Sequence, residues 1–298
     1  MLASTAFTIA FAFQGIAADS PLGAEDALVV TEISETVLMV EGFGGNATVI
    51  STMDGVFLVD SMMQPASEAL NALIVERFGA SPRAMINTHH HSDHSIGNDV
   101  FNASGTLTIA HTFLRHRIAY RRYSDLSERW VEPRPVERLP VTTYEDEMSL
   151  FWGAETIRIY HPEAAHTGGD SVAHASLANV IATGDIFVHG VWPIIDFYAG
   201  GSVDGTIAAL AEIYELADDE TVIIPGHGPL ATRADVLAYS EQLLEMRGVT
   251  LAAIAEGISR EAFVESDPFL IIAPEWQPWF VDSGWLAGEF HDNLGVED

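Results

Sequence analysis

The sequence predicts a mixed α/β chain in which two β-sheets pack face to face with helices outside. Three observations carry this. A block of short strand signals followed by a helix occurs twice along the chain. Hydrophobic residues make up 48% of 298, enough for a sizeable buried core. No linker or low-complexity tract interrupts residues 19–298, which read as one domain with an aromatic-rich C-terminal extension over about 257–298.

Residues 1–18 carry no charged side chain and end in small residues, with Gly15-Ile16-Ala17 resembling a cleavage site. They read as an export signal, although the usual positive start is missing. A periplasmic or secreted location is therefore expected, and a cytoplasmic one if this run is a buried element instead. Strand signals follow at 27–33, 36–41, 47–51 and 56–60, rich in β-branched residues and divided by Gly or Asp. Helical spacing over 65–78 stops at Gly79. A buried strand at 83–87 runs straight into Thr88-His89-His90-His91-Ser92-Asp93-His94. A short helix from Ile96, a strand at 107–110 and an arginine-bearing helix at about 111–123 come next. Pro133, Pro135 and Pro140 make 124–142 a loop. Further strands are expected at 147–151, 155–160, 171–176, 180–183 and 221–224, with helices near 204–217 and 233–256. Trp276, Trp279, Phe280, Trp285 and Phe290 mark a docked rather than a free tail.

Composition excludes several functions. The chain has 43 acids and 13 bases, net −30, and every base is arginine. This charge disfavours nucleic acid and anionic membranes as partners. No cysteine is present, so disulfides, thiolate ligands, cysteine nucleophiles and iron–sulfur clusters are excluded. After export no segment is long and apolar enough for a membrane span.

Twelve histidines are present, four of them within 89–94. His89 and His91 leave an extended segment on one side, Asp93 shares their parity, and His90 points the other way. Imidazole and carboxylate without thiolate suit zinc or iron. Three more candidates each follow or precede a strand: His166 in Ala165-His166-Thr167-Gly168-Gly169-Asp170, Asp185 in Thr183-Gly184-Asp185, and His227 in Pro225-Gly226-His227-Gly228. A glycine beside a ligand lets backbone pass close to a metal.

Together these motifs resemble the metallo-β-lactamase superfamily. His89-His90-His91-Ser92-Asp93-His94 matches its HxHxDH motif, and His166, Asp185 and His227 stand where its later motifs stand. The resemblance covers about residues 30–245. It implies a four-layer αββα sandwich with a dinuclear site on one sheet edge. His89, His91 and His166 would hold one Zn2+, Asp93, His94 and His227 a second, and Asp185 would bridge them as in the glyoxalase II and lactonase branches. A hydroxide bridging two zinc ions would attack an activated carbonyl of a small-molecule substrate, with Asp93 orienting it as the catalytic carboxylate. The first expectation is β-lactamase-type hydrolysis of a cyclic amide; the alternatives are a lactonase or a glyoxalase II-like thioesterase. A mononuclear iron sulfur-oxygenase and a non-catalytic metal-binding module fit the full ligand set less well. Without cysteine or lysine, β-lactamase subclasses with a thiolate ligand and a lysine anchor for a substrate carboxylate are excluded.

Other residues keep two readings. Asp60 either supports the ligand loops or makes a plain turn. The Gly42–Asn46 hairpin is either a flap or an ordinary turn. Phe43, Met62, Trp192 and Tyr198 are candidates for the substrate pocket, against a reading as core. Seven arginines between 115 and 138 form either a solvated helix face or an anion-binding lip. Oligomeric state is open.

Overall fold

A computed structural model describes residues 28–124 and 129–295. The export signal expected at 1–18 lies outside the described residues.

The first sheet begins as an antiparallel meander of β1 (Val29–Glu32), β2 (Val37–Gly42), β3 (Gly45–Thr52) and β4 (Gly55–Val59). Helix α1 (Ala66–Phe78) ends at Gly79, whose φ of 86° suits a residue without a Cβ. It carries the chain back so that β5 (Ala84–Ile86) runs parallel to β4. After α2 (Ser92–Ser95) and α3 (Asn98–Ala103), β6 (Leu107–His111) adds in parallel. Helix α4 (Thr112–Ala119) and a ribbon of β7 (Arg122–Ser124) and β8 (Arg129–Val131) precede β9 (Thr142–Tyr144), which completes the order β1-β2-β3-β4-β5-β6-β9. The second sheet runs β10 (Glu147–Trp152), β11 (Glu155–Tyr160), β12 (Val172–Ala175), β13 (Val180–Ala182) and β14 (Val222–Ile224). Its last pair is parallel, joined through α5 (Val203–Leu216). Helices α6 (Arg233–Ala255), α7 (Arg260–Ser266), α8 (Pro268–Ile272) and α9 (Ser283–Leu294) follow.

Alternation along the strands creates the layers. In β2, Val37 and Met39 face the other sheet while Leu38 and Val40 face α1. Between the sheets, Phe57, Val59, Ile86 and Ile109 meet Ile157, Ile159, Val180 and Ile224. Leu70 and Ile74 of α1 and Phe101 of α3 cover the first sheet. Leu210, Ile213, Leu243 and Met246, with Phe269 and Phe290, cover the second. Each such fully buried side chain stabilises the fold by about 1.5–3 kcal/mol. The result is the expected helix–sheet–sheet–helix sandwich.

Two elements differ from expectation. The helix read over 111–123 stops at Ala119, because Tyr120 is extended. Where the helix was read to end and the loop to begin, Arg122–Ser124 pairs with Arg129–Val131, and Arg121 lies over Trp130 at 4.1 Å. That pairing is local, but three-residue strands are too short to show an alternation in sequence. Short β9 was also missed, because its value lies in closing the sheet edge rather than in a three-residue pattern. In the C-terminal segment, Trp276 packs on Trp192 at 5.2 Å and on Tyr239 at 5.1 Å, and Phe290 is buried. Among the described residues no helix is long and apolar enough to cross a membrane.

The parallel pairs position the site. The carboxyl ends of β4 and β5, and of β13 and β14, are where irregular chain leaves a sheet, and such ends are where α/β sheets place chemistry.

Candidate metal centre

Each strand end delivers one part. Asp60 follows β4, residues 87–94 follow β5, Asp185 follows β13, His227 follows β14, and His166 precedes β12. One ligand-type atom each from His89, His91, His166 and Asp185 lies within 4.8 Å of the others. The same holds for Asp93, His94, Asp185 and His227, so Asp185 is common to both groups. A Cβ on Gly226 would run into Asp185 Oδ1, so the 225–228 turn needs glycine there to approach this carboxylate.

Hydrogen bonds on the far side of the rings decide which nitrogen faces inward. Asp60 Oδ1 accepts from Thr88 N at 2.7 Å, and its Oδ2 accepts from Thr88 Oγ1 at 2.7 Å. Since the Thr88 hydroxyl has one proton, it can only accept from His89 Nδ1, 3.1 Å away. His89 is thereby left with a lone pair on Nε2. Asp60 Oδ2 also accepts from His94 Nδ1 at 2.8 Å, which frees His94 Nε2. The Ile194 carbonyl accepts from His166 Nδ1 at 2.7 Å, and Asp196 Oδ2 accepts from His91 Nε2 at 3.0 Å. These free His166 Nε2 and His91 Nδ1. Of the two readings of Asp60, the structure therefore favours support of the ligand loops.

The inward ring nitrogens crowd together. His166 Nε2 and His91 Nδ1 are 3.1 Å apart, and His94 Nε2 and His227 Nε2 are 3.2 Å apart. Among the described residues, buried His89 Nε2 and Asp185 Oδ1 have no hydrogen-bond partner. Ring nitrogens and carboxylates crowded in a buried site are costly unless positive charge, from a proton or a metal ion, lies among them. The donor set therefore fits divalent metal, and a second layer of hydrogen bonds orients the rings as metal sites require.

The charges agree. Burial opposes ionisation of Asp185, yet His227 and His94 hold its carboxyl well below the usual range. Asp93 is partly exposed, and although its partial burial opposes ionisation, His94 and His227 hold it down at about 2. Burial opposes charge on His94, but Asp185, Asp93 and Asp60 together push its imidazole well above the ordinary value. Without metal, a proton on His94 supplies positive charge that the carboxylates demand.

The candidate pocket residues divide. Met62 and Trp192 are enclosed in the apolar core and do not reach the mouth. Met62 has a φ of 59°, and its side chain packs within the layer between the first sheet and α1; Trp192 is covered by Trp276. Phe43 is 49% exposed and Tyr198 is 47% exposed. The 42–46 hairpin is pinned, because Asn46 donates through Nδ2 to the carbonyls of Pro225 at 2.9 Å and Gly228 at 2.8 Å. His90 stands outside both ligand groups, and its Nε2 accepts from Arg117 Nε at 3.2 Å.

Asp196 escaped the sequence reading, and Trp279 was read only as part of a docked tail. Asp196 lies in the apolar run Trp192-Pro193-Ile194-Ile195-Asp196-Phe197, and a carboxylate in such a run needs a buried partner. That was its available signal. Trp279 lies over His227 with ring centres 4.0 Å apart, and its Nε1 donates to the Trp192 carbonyl at 2.9 Å. It forms one wall of a cleft of about 360 Å3 with Pro278, Phe280, Val281, Asp282 and Trp285. Nothing in local sequence placed this tail beside His227.

Comparison with solved structures places the fold. A metallo-beta-lactamase from Pontibacter korlensis is similar with a TM-score of 0.62 at 17% identity, over 73% of this chain and 99% of that one. The DIM-1 metallo-beta-lactamase gives 0.59 at 18% identity, over 73% and 97%. A stereoselective inverting sec-alkylsulfatase, Pisa1 from Pseudomonas sp., gives 0.67 at 14% identity, over 90% of this chain but 50% of that one. At these identities the likeness establishes the fold. No curated protein sequence matches the chain. A sequence profile described as "Metallo-beta-lactamase superfamily" matches residues 40–227, a span that holds all seven ligand-type residues from His89 to His227. The chain belongs to the metallo-beta-lactamase superfamily and has its hydrolase fold.

Proposed function

We propose that the protein is a dinuclear zinc hydrolase acting on a small molecule with an activated carbonyl. His89, His91 and His166 would hold one zinc, Asp93, His94 and His227 the other, with Asp185 shared. The observation that carries this is the facing of ring nitrogens at 3.1 and 3.2 Å around a shared carboxylate. Imidazole and carboxylate donors without thiolate suit zinc. Bound zinc would supply Lewis acidity and bring the pKa of a water near neutrality.

The chain's own contribution is orientation. Thr88, Asp60, Asp196 and the Ile194 carbonyl fix four rings before substrate arrives, so no reorganisation is needed during reaction. Asp93 is the catalytic candidate because its side chain is 20% exposed, while His89 and His94 are enclosed. It can both hold metal and meet the reacting group.

Cyclic amide hydrolysis of the β-lactamase type is the first reading of the substrate. Sharing of Asp185 between the groups favours a second, lactone or thioester hydrolysis. An added carboxylate lowers Lewis acidity, which suits better leaving groups. Export is part of the proposal and rests on the apolar run at 1–18. Metal analysis should find about two zinc per chain. A single iron per chain with persulfide activity would overturn the hydrolase reading. Nitrocefin, an acyl-homoserine lactone and S-lactoylglutathione, tested on zinc-loaded protein, separate the substrate classes.

A further inference from the structure

One exposed edge of the candidate metal centre lies beside chain that follows the last strand. Asp93 has 20% of its side chain exposed, and its Oδ2 is 3.3 Å from His227 Nε2. His227 is covered in turn by Trp279, with ring centres 4.0 Å apart. Trp279 therefore belongs to two places at once. It roofs a ligand candidate, and it is a wall of the 360 Å3 cleft in the C-terminal segment.

That segment is fastened on both sides of the cleft. Before it, Gln277 N donates to the Gly190 carbonyl at 2.9 Å, and Trp192 N donates to the Gln277 carbonyl at 3.2 Å. Trp279 Nε1 adds its bond to the Trp192 carbonyl. After it, Asp282 Oδ1 accepts from Trp285 N at 2.8 Å and caps α9. The walls are thus set before a ligand arrives, which lowers the entropic cost of binding.

Phe280 nevertheless stays 74% exposed. A single exposed aromatic residue is ordinary, but this one continues the apolar surface of Trp279, with ring centres 4.6 Å apart and planes at 68°. The two rings make a corner that opens into the cleft. Folding buries Trp192, Trp276 and Phe290 nearby, so core packing does not account for Phe280. Apolar surface left over a preformed hollow marks a binding site.

The lining selects the occupant. Among the described residues that line the cleft, the only charged one is Asp282, and its side chain is used in the helix cap. An anionic group finds no cation there, whereas an uncharged chain loses water on contact with the rings. A volume of 360 Å3 is at the small end of ligand pockets, which run from about 300 to 1,000 Å3; it suits part of a small molecule rather than a protein segment. The cleft also lies beyond the span 40–227 matched by the superfamily profile, so it is this chain's own addition beside the shared centre.

We propose that the cleft at Trp279 and Phe280 binds an uncharged alkyl chain of the substrate while the carbonyl to be cleaved lies over the metal centre. This rests on the hydrolase reading above and narrows its substrate class.

The test compares two thioesters on zinc-loaded protein, S-acetyl- and S-octanoyl-N-acetylcysteamine. They share the leaving thiol and differ only in chain length. The released thiol is read with a chromogenic disulfide, which has no background in a chain without cysteine. The octanoyl thioester should be preferred at least about tenfold in kcat/KM, the gain from burying about two of the added methylenes. Phe280→Ser should cut this ratio at least about threefold. Phe151→Ser should keep it, because Phe151 is 79% exposed at the opposite end of the sandwich, where β4 begins. Equal use of the two thioesters, or a ratio unchanged in Phe280→Ser, overturns the proposal.

If neither thioester is cleaved, the hydrolase reading fails on these substrates and binding decides the cleft. 8-Bromooctan-1-ol, whose bromine quenches an indole it touches, should quench tryptophan emission saturably, with or without zinc. Phe280→Ser should weaken this binding at least about threefold, and Trp279→Phe should reduce the quenched fraction. Quenching that does not saturate, or that is the same in Phe280→Ser, overturns the cleft as an alkyl site. So does a dimer in light scattering that Phe280→Ser dissolves, which would give the surface to a second copy of the chain.

Discussion

The two ligand groups are built differently. His89, His91 and His166 each have the outer ring nitrogen tied to a group inside the sandwich: Thr88, Asp196 and the Ile194 carbonyl. In the other group, His94 is tied to Asp60, but Asp93 lies at the mouth and His227 sits under the Trp279 ring of the C-terminal segment. The first group is preorganised by hydrogen bonds from the core. The second depends partly on a packing contact supplied by chain more than 50 residues away. Metal should therefore be held more firmly by the first group, and the second should be where changes are felt first.

The largest expected effect strikes the shared elements. Asp185→Ala removes a ligand from both groups, and Gly226→Ala drives a methyl into that carboxylate. Both should abolish turnover and lower metal content in elemental analysis while circular dichroism remains native. Two metals retained with full activity in either variant would remove the dinuclear reading. Next come the orienting carboxylates. Asp196→Ala should weaken metal binding at the first group by about 10–100-fold in chelator competition, whereas Asp60→Ala should weaken both groups, because Asp60 holds His94 directly and His89 through Thr88. Equal loss of both metals in Asp196→Ala would dissolve the distinction between the groups. Trp279→Ala should have a smaller effect, less than about tenfold, confined to the more weakly held metal.

The smallest effect lies outside both groups and is a control for fold without metal. His111 stacks on His161 with ring centres 3.9 Å apart. Burial and the neighbouring imidazole push His111 down to about 4. The unfolded chain, with a value near about 6.5, then binds protons first as pH falls. Stability from this group is complete above about pH 6.5 and is lost as pH drops toward 4, on the order of 1 kcal/mol after solvent screening. Urea melts of metal-free protein between pH 7 and 5 should show this slope, and His111→Asn should flatten it. An unchanged slope in the variant would place the titration elsewhere.

Much of the fold was legible because strand alternation and helix spacing are local. Val37 to Val40 alternate between two cores, and Thr232 with Asp235 caps α6 where the helix was expected to begin. The strands Arg122–Ser124, Arg129–Val131 and Thr142–Tyr144 were not legible, since three residues are too few to show alternation, and the last exists only through a partner distant in sequence. Met62 and Trp192 kept two readings in the sequence, pocket or core, and the structure places both in the core. A large apolar residue beside a ligand motif looks the same whether it lines a mouth or fills a core.

The sequence by itself determined the chemistry available to this protein. Seven imidazole and carboxylate ligand candidates at strand ends, with no thiol and no lysine, restrict it to metal chemistry with arginine as the cation for any anionic substrate. Only the tertiary structure decided which nitrogen of each ring faces inward, that Asp196 orients His91 and that Trp279 covers His227. Those properties arise from hydrogen bonds and contacts between segments separated by tens to hundreds of residues. Their geometry is set by packing of the two sheets, and no local pattern encodes it.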